Sequence, residues 1–577
     1  MRTLLAVCLV VALVGGGVAF VLFDDRPPAP APAAAEAGGP RVRLAVLVVF
    51  DQMRGDYLKK WKPLFGAGGF ARLQADGAWF ANCHYPYACT ITGPGHASML
   101  TGTCPDRHGI VNNEWYESGA KAYCAGSTRY EFVPPPPPRD PKTAAPTVGN
   151  PDRLTAETVA DVLRAEKPGA KVFGLSLKDR SAILTTGKRP DGAYWFTGRF
   201  VTSTYYDDHL HPWVEEFNAS KAADRWFGTK WERFRPDLDY AAWSGPDDVK
   251  GEGRGTGQGR TFPHPLTGGK EKIGKEYYNA LANSPFGNEL VWELAEKCIL
   301  AEELGKDGVP DLLVVSFSSN DLIGHTWGPD SQEVLDVTLR SDELMARVLT
   351  FLDEHVGEGH YALAVTADHG VCPLVDVSQA RGIPARRVDL SVLRNELEKH
   401  LAATFGTPGG TKSAWVETIA APWVHVNRKV AAAMNKPVEE VARAAADYLA
   451  KRPDVARAFT RADLAAPFPP DDALGNRVRR ALYLPPPGAA ERCGDVYVVL
   501  PEYALPGKVT DTGTTHGAPY SYDTHVPLLV YGPGVAGGTR HEPTTPQATA
   551  AIFSRFLDVR LPDKADFPVP ATLEPSP

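Results

Sequence analysis

Four short apolar runs constrain the fold of this chain more than any other feature of its sequence. They cover residues 43–50, 311–317, 361–366 and 526–531. Continuous apolar runs of this length are typical of parallel strands that are covered on both faces. Stretches with apolar residues at three-to-four spacing lie between the runs, including residues 288–304 and 332–355. This alternation predicts an α/β fold with a mostly parallel central sheet, helices on both faces and inserted segments.

Carboxylate and imidazole side chains stand next to each of these runs. They are Asp51 after the first run, Asp321 and His325 after the second, Asp368 and His369 after the third, and His516 before the fourth. Each alone could be a helix cap, a turn or a surface pair. Because ligands bind beyond the carboxyl ends of parallel strands, however, we expect the groups that follow strands to converge. Three Asp and three His suit zinc and are too many for one tetrahedral ion, which indicates two ions.

A glycine-rich segment, Thr92-Gly-Pro-Gly-His96, reads as a loop that turns into a helix. A helix N-terminus offers free N–H groups and a positive dipole to a phosphate. A threonine hydroxyl is a weak nucleophile, but zinc coordination would lower its pKa. Thr92 is therefore a candidate nucleophile, and the alternative is that it only caps the helix.

The order of these motifs resembles that of the alkaline phosphatase superfamily of two-zinc enzymes, over most of residues 41–560. The resemblance implies an alkaline-phosphatase-like fold and a division of the ligands between two sites. One zinc would be held by Asp51, Thr92, Asp368 and His369, and the other by Asp321, His325 and His516. His525, in Asp-Thr-His-Val-Pro, is the rival for the last position. His516 is favoured because it stands in Gly-Thr-x-His before a strand.

Two further segments resemble phosphate-binding motifs of the same superfamily. Residues 92–113 are similar to the Thr-x-Pro-x-His … Gly-Ile-x-x-Asn segment of its phosphodiesterase and monoesterase branches. This likeness implies that Thr92, not Thr90, is the nucleophile and that Asn113 binds phosphate, with Asn112 as the adjacent alternative. The segment Ser-Leu-Lys-Asp-Arg at 176–180 resembles the Lys-x-Arg pair of the PafA-like, phosphate-irrepressible alkaline phosphatases. It implies that Lys178 and Arg180 contact the phosphoryl oxygens.

The resemblance implies a phosphomonoesterase, an alkaline phosphatase that forms a phospho-threonine intermediate on Thr92. A monoester dianion presents three unesterified oxygens, which an ammonium and a guanidinium together suit. Lys178 and Arg180 could instead be surface charges, and the alternative activity is that of a nucleotide-pyrophosphatase-like phosphodiesterase. A sulfatase is excluded because Pro105 follows Cys104 directly, whereas the formylglycine signature is Cys-x-Pro-x-Arg. An inactive exported metal-binding protein would lack the nucleophile or part of the ligand set, and neither is missing.

The N-terminus predicts export. Arg2 precedes an uncharged stretch over residues 4–23, which fits a signal peptide with a small-x-small cleavage site at 17–19 or, alternatively, an uncleaved anchor. A Pro/Ala-rich linker follows over residues 24–40. We therefore expect the protein in the periplasm, or tethered outside the inner membrane, with no membrane contact beyond that anchor.

Composition and domain layout complete the prediction. The net charge of −8 argues against nucleic acid as a dedicated partner. The substrates that the resemblance implies are small-molecule phosphate monoesters, and we expect a monomeric protein. The catalytic domain is predicted over residues 41–565, with insertions at about 190–274 and 378–512, followed by a tail at 566–577. The cysteines beyond Cys8 number seven, so at least one is unpaired, and the spacing assigns no disulfide.

Overall fold

The four apolar runs form four adjacent strands at the centre of one sheet. The computed structural model describes residues 42–117, 119–137, 144–410 and 413–573, and the central sheet within them has ten strands. In chain order they are β1 (Leu44–Phe50), β2 (Ala78–Phe80), β3 (Phe132–Val133), β4 (Val172–Ser176), β5 (Gly192–Phe196), β6 (Phe200–Ser203), β7 (Asp311–Phe317), β8 (Tyr361–Thr366), β9 (Leu528–Tyr531) and β10 (Gly538–Arg540). The spatial order is β10-β2-β9-β8-β1-β7-β4-β5-β6-β3.

The sheet has a parallel centre and antiparallel neighbours. Strands β8, β1, β7, β4 and β5 run parallel to one another, and β9 runs antiparallel to both β8 and β2. The prediction of a parallel strand at 526–531 is therefore wrong. A continuous apolar run indicates burial on both faces but carries no information about direction. As a consequence, β9 begins at the edge of the sheet where β1, β7 and β8 end.

Helices cover the sheet and confirm the α/β class. One group contains Thr92–Thr101, Val159–Glu166, Asp179–Thr186 and Ala548–Leu557, and another contains Phe70–Asp76, Phe286–Ala301, Ser319–Trp327 and Gln332–Leu352. Strands β1, β7 and β8 are buried along their whole length, as expected for strands packed on both faces. The longest of these helices, Gln332–Leu352, is capped by Ser331, whose hydroxyl accepts the backbone N–H of Val334.

The stretch predicted as a first insertion, residues 190–274, contributes β5 and β6 to the central sheet. Beyond them it contains short elements: Pro212–Ala219, Ala222–Trp226, Tyr240–Ser244 and the paired strands Lys230–Trp231 and His264–Pro265, with the helix Lys275–Ala282 following. Aromatic rings pack between these elements; for example, the Trp231 and Phe262 ring centroids are 5.2 Å apart.

The stretch predicted as a second insertion, residues 378–512, contains a four-stranded sheet with its own apolar core. Its strands, in spatial order, are Val416–Ala420, Trp423–Val426, Val496–Val499 and Arg457–Thr460, and its helices are Leu390–Phe405, Arg428–Ala433, Val438–Leu449 and Ala473–Arg479. Arg386–Val388 pairs in parallel with Ala504–Pro506. The loop at Ala421 and Pro422 contacts the segment after the Thr92–Thr101 helix, where the Ala421 carbonyl accepts the side-chain amide of Asn112 at 3.0 Å.

Short elements complete the described part of the chain. They are Tyr57–Lys60, Lys62–Leu64, Pro105–His108, the paired strands Glu114–Glu117 and Ala120–Tyr123, the paired strands Gly126–Ser127 and Val148–Gly149, Asp353–Gly357, Val375–Ala380, Ser521–Thr524 and Ala571–Leu573. Within the described residues, no helix combines the length and the apolar character that a bilayer crossing requires. The predicted signal peptide or anchor and the linker, residues 1–40, lie outside the described residues, as do the last four residues of the tail.

Candidate active site

The six carboxylate and imidazole residues predicted from the sequence meet at one edge of the sheet, in two groups. The parallel strands β1 and β8 deliver their ligands directly from their carboxyl ends, and the helix Ser319–Trp327 begins two residues after β7. The loop before the antiparallel β9 reaches the same edge. The first group is Asp51, Asp368 and His369, the second is Asp321, His325 and His516, and the candidate ligand atoms within each group lie within 4.8 Å of one another.

The first group is fully buried and adjoins Thr92. The His369 Nε2 lies 3.3 Å from the Asp368 Oδ2 and 3.6 Å from the Asp51 Oδ1. The Thr92 hydroxyl, on a residue that is 1% exposed, lies 3.4 Å from the same Nε2. All four residues predicted to hold the first ion therefore converge at one point.

The second group lies on a helix and a loop. Asp321 and His325 are one helical turn apart, and the His325 Nε2 is 3.2 Å from the Asp321 Oδ1. The His516 Nε2 is 3.7 Å from the same oxygen. The His516 ring also stacks on that of His369, with centroids 3.5 Å apart, so the two groups are in contact.

The donor atoms of both groups fit metal ions. Each histidine holds its Nδ1 against a backbone carbonyl, at 2.7 Å for His325, 2.9 Å for His369 and 2.8 Å for His516. Such bonds fix the tautomer and leave the Nε2 lone pair for a metal. The Asp51 Oδ1 and the Asp368 Oδ2 are buried and have no hydrogen-bond partner among the described residues. Because a buried carboxylate oxygen without a hydrogen bond is costly, these two oxygens indicate a cation between them.

The structure separates His516 from its rival His525. The His525 ring stacks on His84, with centroids 4.7 Å apart, and its Nε2 lies 3.0 Å from the Ala81 carbonyl. His525 is therefore engaged at the end of β9 and belongs to neither ligand group in the described chain.

The Thr92 helix is built for close approach to the first group. Thr92 is its first residue, and the Gly93 N–H donates to the Asn113 Oδ1 at 2.7 Å. A side chain at position 95 would place its Cβ 2.6 Å from the Asp368 Cβ, so only glycine lets the helix pack against that loop. The positive end of the helix dipole thus stands beside the Thr92 hydroxyl.

Asn113 and Asn112 differ in what their amides do. The Asn112 amide is used at both ends, because its Oδ1 accepts the Asn113 backbone N–H at 2.7 Å and its Nδ2 donates to Ala421. The Asn113 Oδ1 accepts the Gly93 N–H, while its Nδ2 has no partner within the described residues. Asn113 therefore has a donor available beside Thr92, and Asn112 holds the Asn113 backbone in place through its Oδ1.

Lys178 lies between the two groups. Its Nζ donates to the Asp51 Oδ2 at 2.7 Å and to the Asp321 Oδ2 at 2.5 Å. Burial alone would lower the pKa of Lys178, but Asp321 and Asp51 raise it above its ordinary value. The residue is therefore a buried ammonium at the point where the groups meet, and the alternative of a surface charge is wrong for this lysine.

The pKa values of Asp51 and Asp321 are shifted in opposite directions. Burial and then the neighbouring Asp368 raise the pKa of Asp51 well above its usual range. Burial also raises the pKa of Asp321, but the attraction of His325 and Lys178 outweighs it and holds that pKa well below its usual value. Several acidic groups packed this closely need positive charge to remain ionised.

Arg180 lies on a wall of the cavity that opens from the site. Its Nη1 donates to the Tyr123 hydroxyl at 3.4 Å, and that hydroxyl donates to the Asp179 Oδ1 at 2.5 Å. The cavity has a volume of about 540 Å³ and is lined by Asn113, Tyr123, Arg180 and the loop at 418–421, among others. A phosphoryl group in this cavity can meet two of the three predicted phosphate-binding residues, Asn113 and Arg180.

Tyr123 and His96 belong to the site but had no predicted role. Tyr123 orients Arg180, and nothing in its sequence context indicates this. His96 is fully buried, with its Nδ1 2.9 Å from the Thr92 carbonyl and 3.2 Å from the Asp368 Oδ2. It is part of the Thr-x-Pro-x-His motif, which is the signal that could have identified it.

Replacement of Tyr123 with phenylalanine is expected to lower kcat/KM on a phosphate monoester by roughly 2- to 10-fold, the equivalent of one hydrogen bond. The ring remains in place, so only the orientation of Arg180 is lost. Tyr130→Phe, which removes a more exposed hydroxyl 3.4 Å from Asp152, is the matched control and should leave kcat/KM unchanged. Equal kcat/KM values for Tyr123→Phe and the native protein would contradict the role of Tyr123.

Taken with the mixed α/β sheet, the two ligand groups define a protein of the alkaline-phosphatase-like fold class. Residues 45–518 match the type I phosphodiesterase / nucleotide pyrophosphatase family, and the chain belongs to that family.

Two curated relatives and one crystal structure are similar over almost the whole chain. Alkaline phosphatase PafA of Elizabethkingia meningoseptica is 33% identical over 91% of this chain and 93% of its own. Alkaline phosphatase PhoV of Synechococcus elongatus is 32% identical over 90% of this chain and 91% of its own. The crystal structure of alkaline phosphatase PafA superposes with a TM-score of 0.83, at 31% identity, over 93% of this chain and 99% of the other.

Proposed function

We propose that this chain is an alkaline phosphatase, a phosphomonoesterase that transfers the phosphoryl group first to Thr92 and then to water. The observation that carries the proposal is the position of Lys178, a buried ammonium within 2.7 Å of one carboxylate from each ligand group. A dianionic phosphoryl group bound between the groups would lie within reach of this ammonium. The alkaline phosphatases to which the chain is similar over almost its whole length support the same activity.

Two zinc ions are the proposed cofactors. Asp51, Thr92, Asp368 and His369 would hold one, and Asp321, His325 and His516 the other. When bound, the ions would act as Lewis acids that lower the pKa of the threonine hydroxyl and stabilise the departing alcohol oxygen.

The protein supplies the nucleophile and orients the phosphoryl group. The Thr92 Oγ1 loses its proton to solvent and attacks phosphorus, and the bond from phosphorus to the ester oxygen opposite it breaks. The departing alcohol oxygen takes a proton from solvent. The Asn113 Nδ2, the Lys178 Nζ and the Arg180 guanidinium donate to the three equatorial oxygens. A water molecule then cleaves the phospho-threonine ester, which regenerates Thr92 and releases phosphate.

The charge of the site favours monoesters over diesters. A diester carries one charge fewer, and its second substituent needs space near the equatorial oxygens. In this protein, Lys178 and Arg180 stand beside that space, and a dianion is the ligand that two fixed cations suit. The N-terminal sequence supports a further proposal, that the protein acts outside the cytoplasm and is periplasmic or membrane-tethered. We also propose that it is a monomer.

The test is a comparison of kcat/KM for an aryl phosphate monoester and the corresponding methyl aryl diester, with purified zinc-loaded protein. We expect a preference for the monoester, and we expect a chelator to lower its kcat/KM by roughly 10²-fold or more, because metal Lewis acidity contributes several kcal/mol. Restored activity on addition of zinc is the control for unfolding. A diester preference would indicate a nucleotide-pyrophosphatase-like phosphodiesterase instead, and full activity in chelator would contradict the metal assignment.

A further inference from the structure

Gln52, the residue directly after Asp51, has an uncommon backbone conformation. Its φ is +71°, in the left-handed region that residues other than glycine, asparagine and aspartate rarely adopt. The side chain is buried, with 3% of the residue exposed. Strained backbone of this kind persists only where the surroundings hold it, and it concentrates at functional sites.

This conformation lets one residue contact both ligand groups. The Gln52 backbone N–H donates to the Asp368 Oδ1 at 3.0 Å. Its side-chain Nε2 donates to the Asp321 Oδ1 at 2.5 Å. The first bond holds one oxygen of Asp368 and leaves the other, the Oδ2, facing His369 at 3.3 Å. The second fixes the Asp321 carboxylate, whose Oδ1 faces His325 and His516.

The helix that carries Asp321 and His325 has a glycine at the point where the Gln52 side chain meets it. A Cβ at Gly324 would overlap the Gln52 Oε1, which is buried and has no hydrogen-bond partner among the described residues. Glycine inside a helix is unfavourable relative to alanine. The absence of a side chain at 324 is therefore explained by the space that the Gln52 amide needs.

We propose that Gln52 is a positioning residue that fixes one carboxylate of each ligand group, and so the spacing of the two groups, and that Gly324 is present to admit it. The proposal rests on the proposed function in one respect, that the groups hold metal ions. Residues that orient metal ligands typically change metal affinity or activity by 10- to 100-fold when replaced. The alternative is that Gln52 only fills space beside Gly324.

Gln52→Gly separates these two roles. Glycine keeps the backbone N–H and adopts a positive φ freely, so the variant loses only the amide that reaches Asp321. We expect the Tm of the metal-free protein to stay the same or rise, while competition with a chelator shows roughly 10- to 100-fold weaker binding of the more weakly held zinc. A fall in the metal-free Tm with native zinc affinity and native kcat would show that Gln52 only packs, and would overturn the proposal.

Gly324→Ala tests the same contact from the other side and covers the case in which Gln52→Gly fails to fold. It displaces the Gln52 amide while every ligand remains, so we expect it also to weaken zinc binding by roughly 10- to 100-fold. Gly308→Ala, at a position with no atom within 4 Å of the added Cβ, is the matched control and should have no effect. Native zinc affinity in Gly324→Ala would contradict the proposal.

The double variant gives the sharpest result. Once Gln52 is replaced by glycine, the space beside position 324 is free, so the further change Gly324→Ala should weaken zinc binding little beyond Gln52→Gly. Two independent, multiplying losses would overturn the coupling. Loss of zinc binding or of phosphatase activity in the native protein itself would instead count against the proposed function. A native protein that binds zinc, with variants that bind it equally, would refute the role of Gln52 alone.

Discussion

Thr92→Ala is expected to reduce kcat on a phosphate monoester by at least about 10³-fold, because the residue supplies the attacking oxygen and no other hydroxyl occupies its position. Its Oγ1 is the hydroxyl that lies 3.4 Å from the His369 Nε2. The three other ligands of the first group remain, so we expect bound zinc to stay within about twofold of the native amount, which elemental analysis of the purified protein measures.

Two controls make this result specific. Thr90→Ala removes a hydroxyl two residues away, which donates to the Ala518 carbonyl at 2.9 Å on a residue that belongs to neither ligand group. We expect its kcat to fall by no more than roughly 10-fold, the equivalent of one structural hydrogen bond. Thr92→Ser keeps the hydroxyl and should retain most of the activity. If Thr92→Ala were nearly as active as the native protein, or if Thr90→Ala were the inactive variant, Thr92 would not be the nucleophile.

Trapping the intermediate extends the same experiment. If Thr92 becomes phosphorylated, a brief incubation with substrate followed by acid quenching should leave phosphate on the peptide that contains residue 92, as detected by mass spectrometry. The label should be absent from Thr92→Ala. A labelled peptide elsewhere in the chain would assign the nucleophile to another residue.

The site was predictable where local sequence determines position. Asp51 and Asp368 directly follow apolar runs, and the carboxyl end of a buried strand is visible in the sequence as the point where the run stops. Asp321 and His325 share a helical face because they are four residues apart. For these residues, the topology of a parallel sheet was enough to predict that they meet.

The remaining features depend on contacts between distant segments. The direction of β9 was not predictable, because a continuous apolar run looks alike in a parallel and an antiparallel strand. The antiparallel direction places the loop before β9, which carries His516, at the site. β5 and β6 were hidden within a stretch rich in aromatic residues and glycine. The contact between Gln52 and Gly324 joins residues 272 positions apart. The sequence does not reveal the positive φ of Gln52, and it does not indicate which residue packs against a glycine in a helix.

The Lys178→Ala/Arg180→Ala double variant is expected to lose the preference for monoesters. Removing one preorganised donor to a charged transition state typically costs 10²- to 10³-fold, so the two together should lower kcat/KM on the monoester by roughly 10⁴-fold. A diester places less charge on the same oxygens, so its kcat/KM should fall by less than about 10²-fold. The measurement is the ratio of the two kcat/KM values in each variant.

Lys178 also contacts Asp51 and Asp321, so replacing it leaves two buried carboxylates without their ammonium. The zinc content of each variant must therefore be measured in parallel. Arg180→Lys keeps the charge but not the planar pair of donors, and should show an intermediate loss on the monoester. Lys188→Ala/Arg189→Ala removes an exposed pair of the same residue types and controls for net charge. Equal losses on monoester and diester, at full zinc content, would mean that Lys178 and Arg180 support the site without selecting the dianion, and the preference would then have to come from the shape of the cavity beside Asn113.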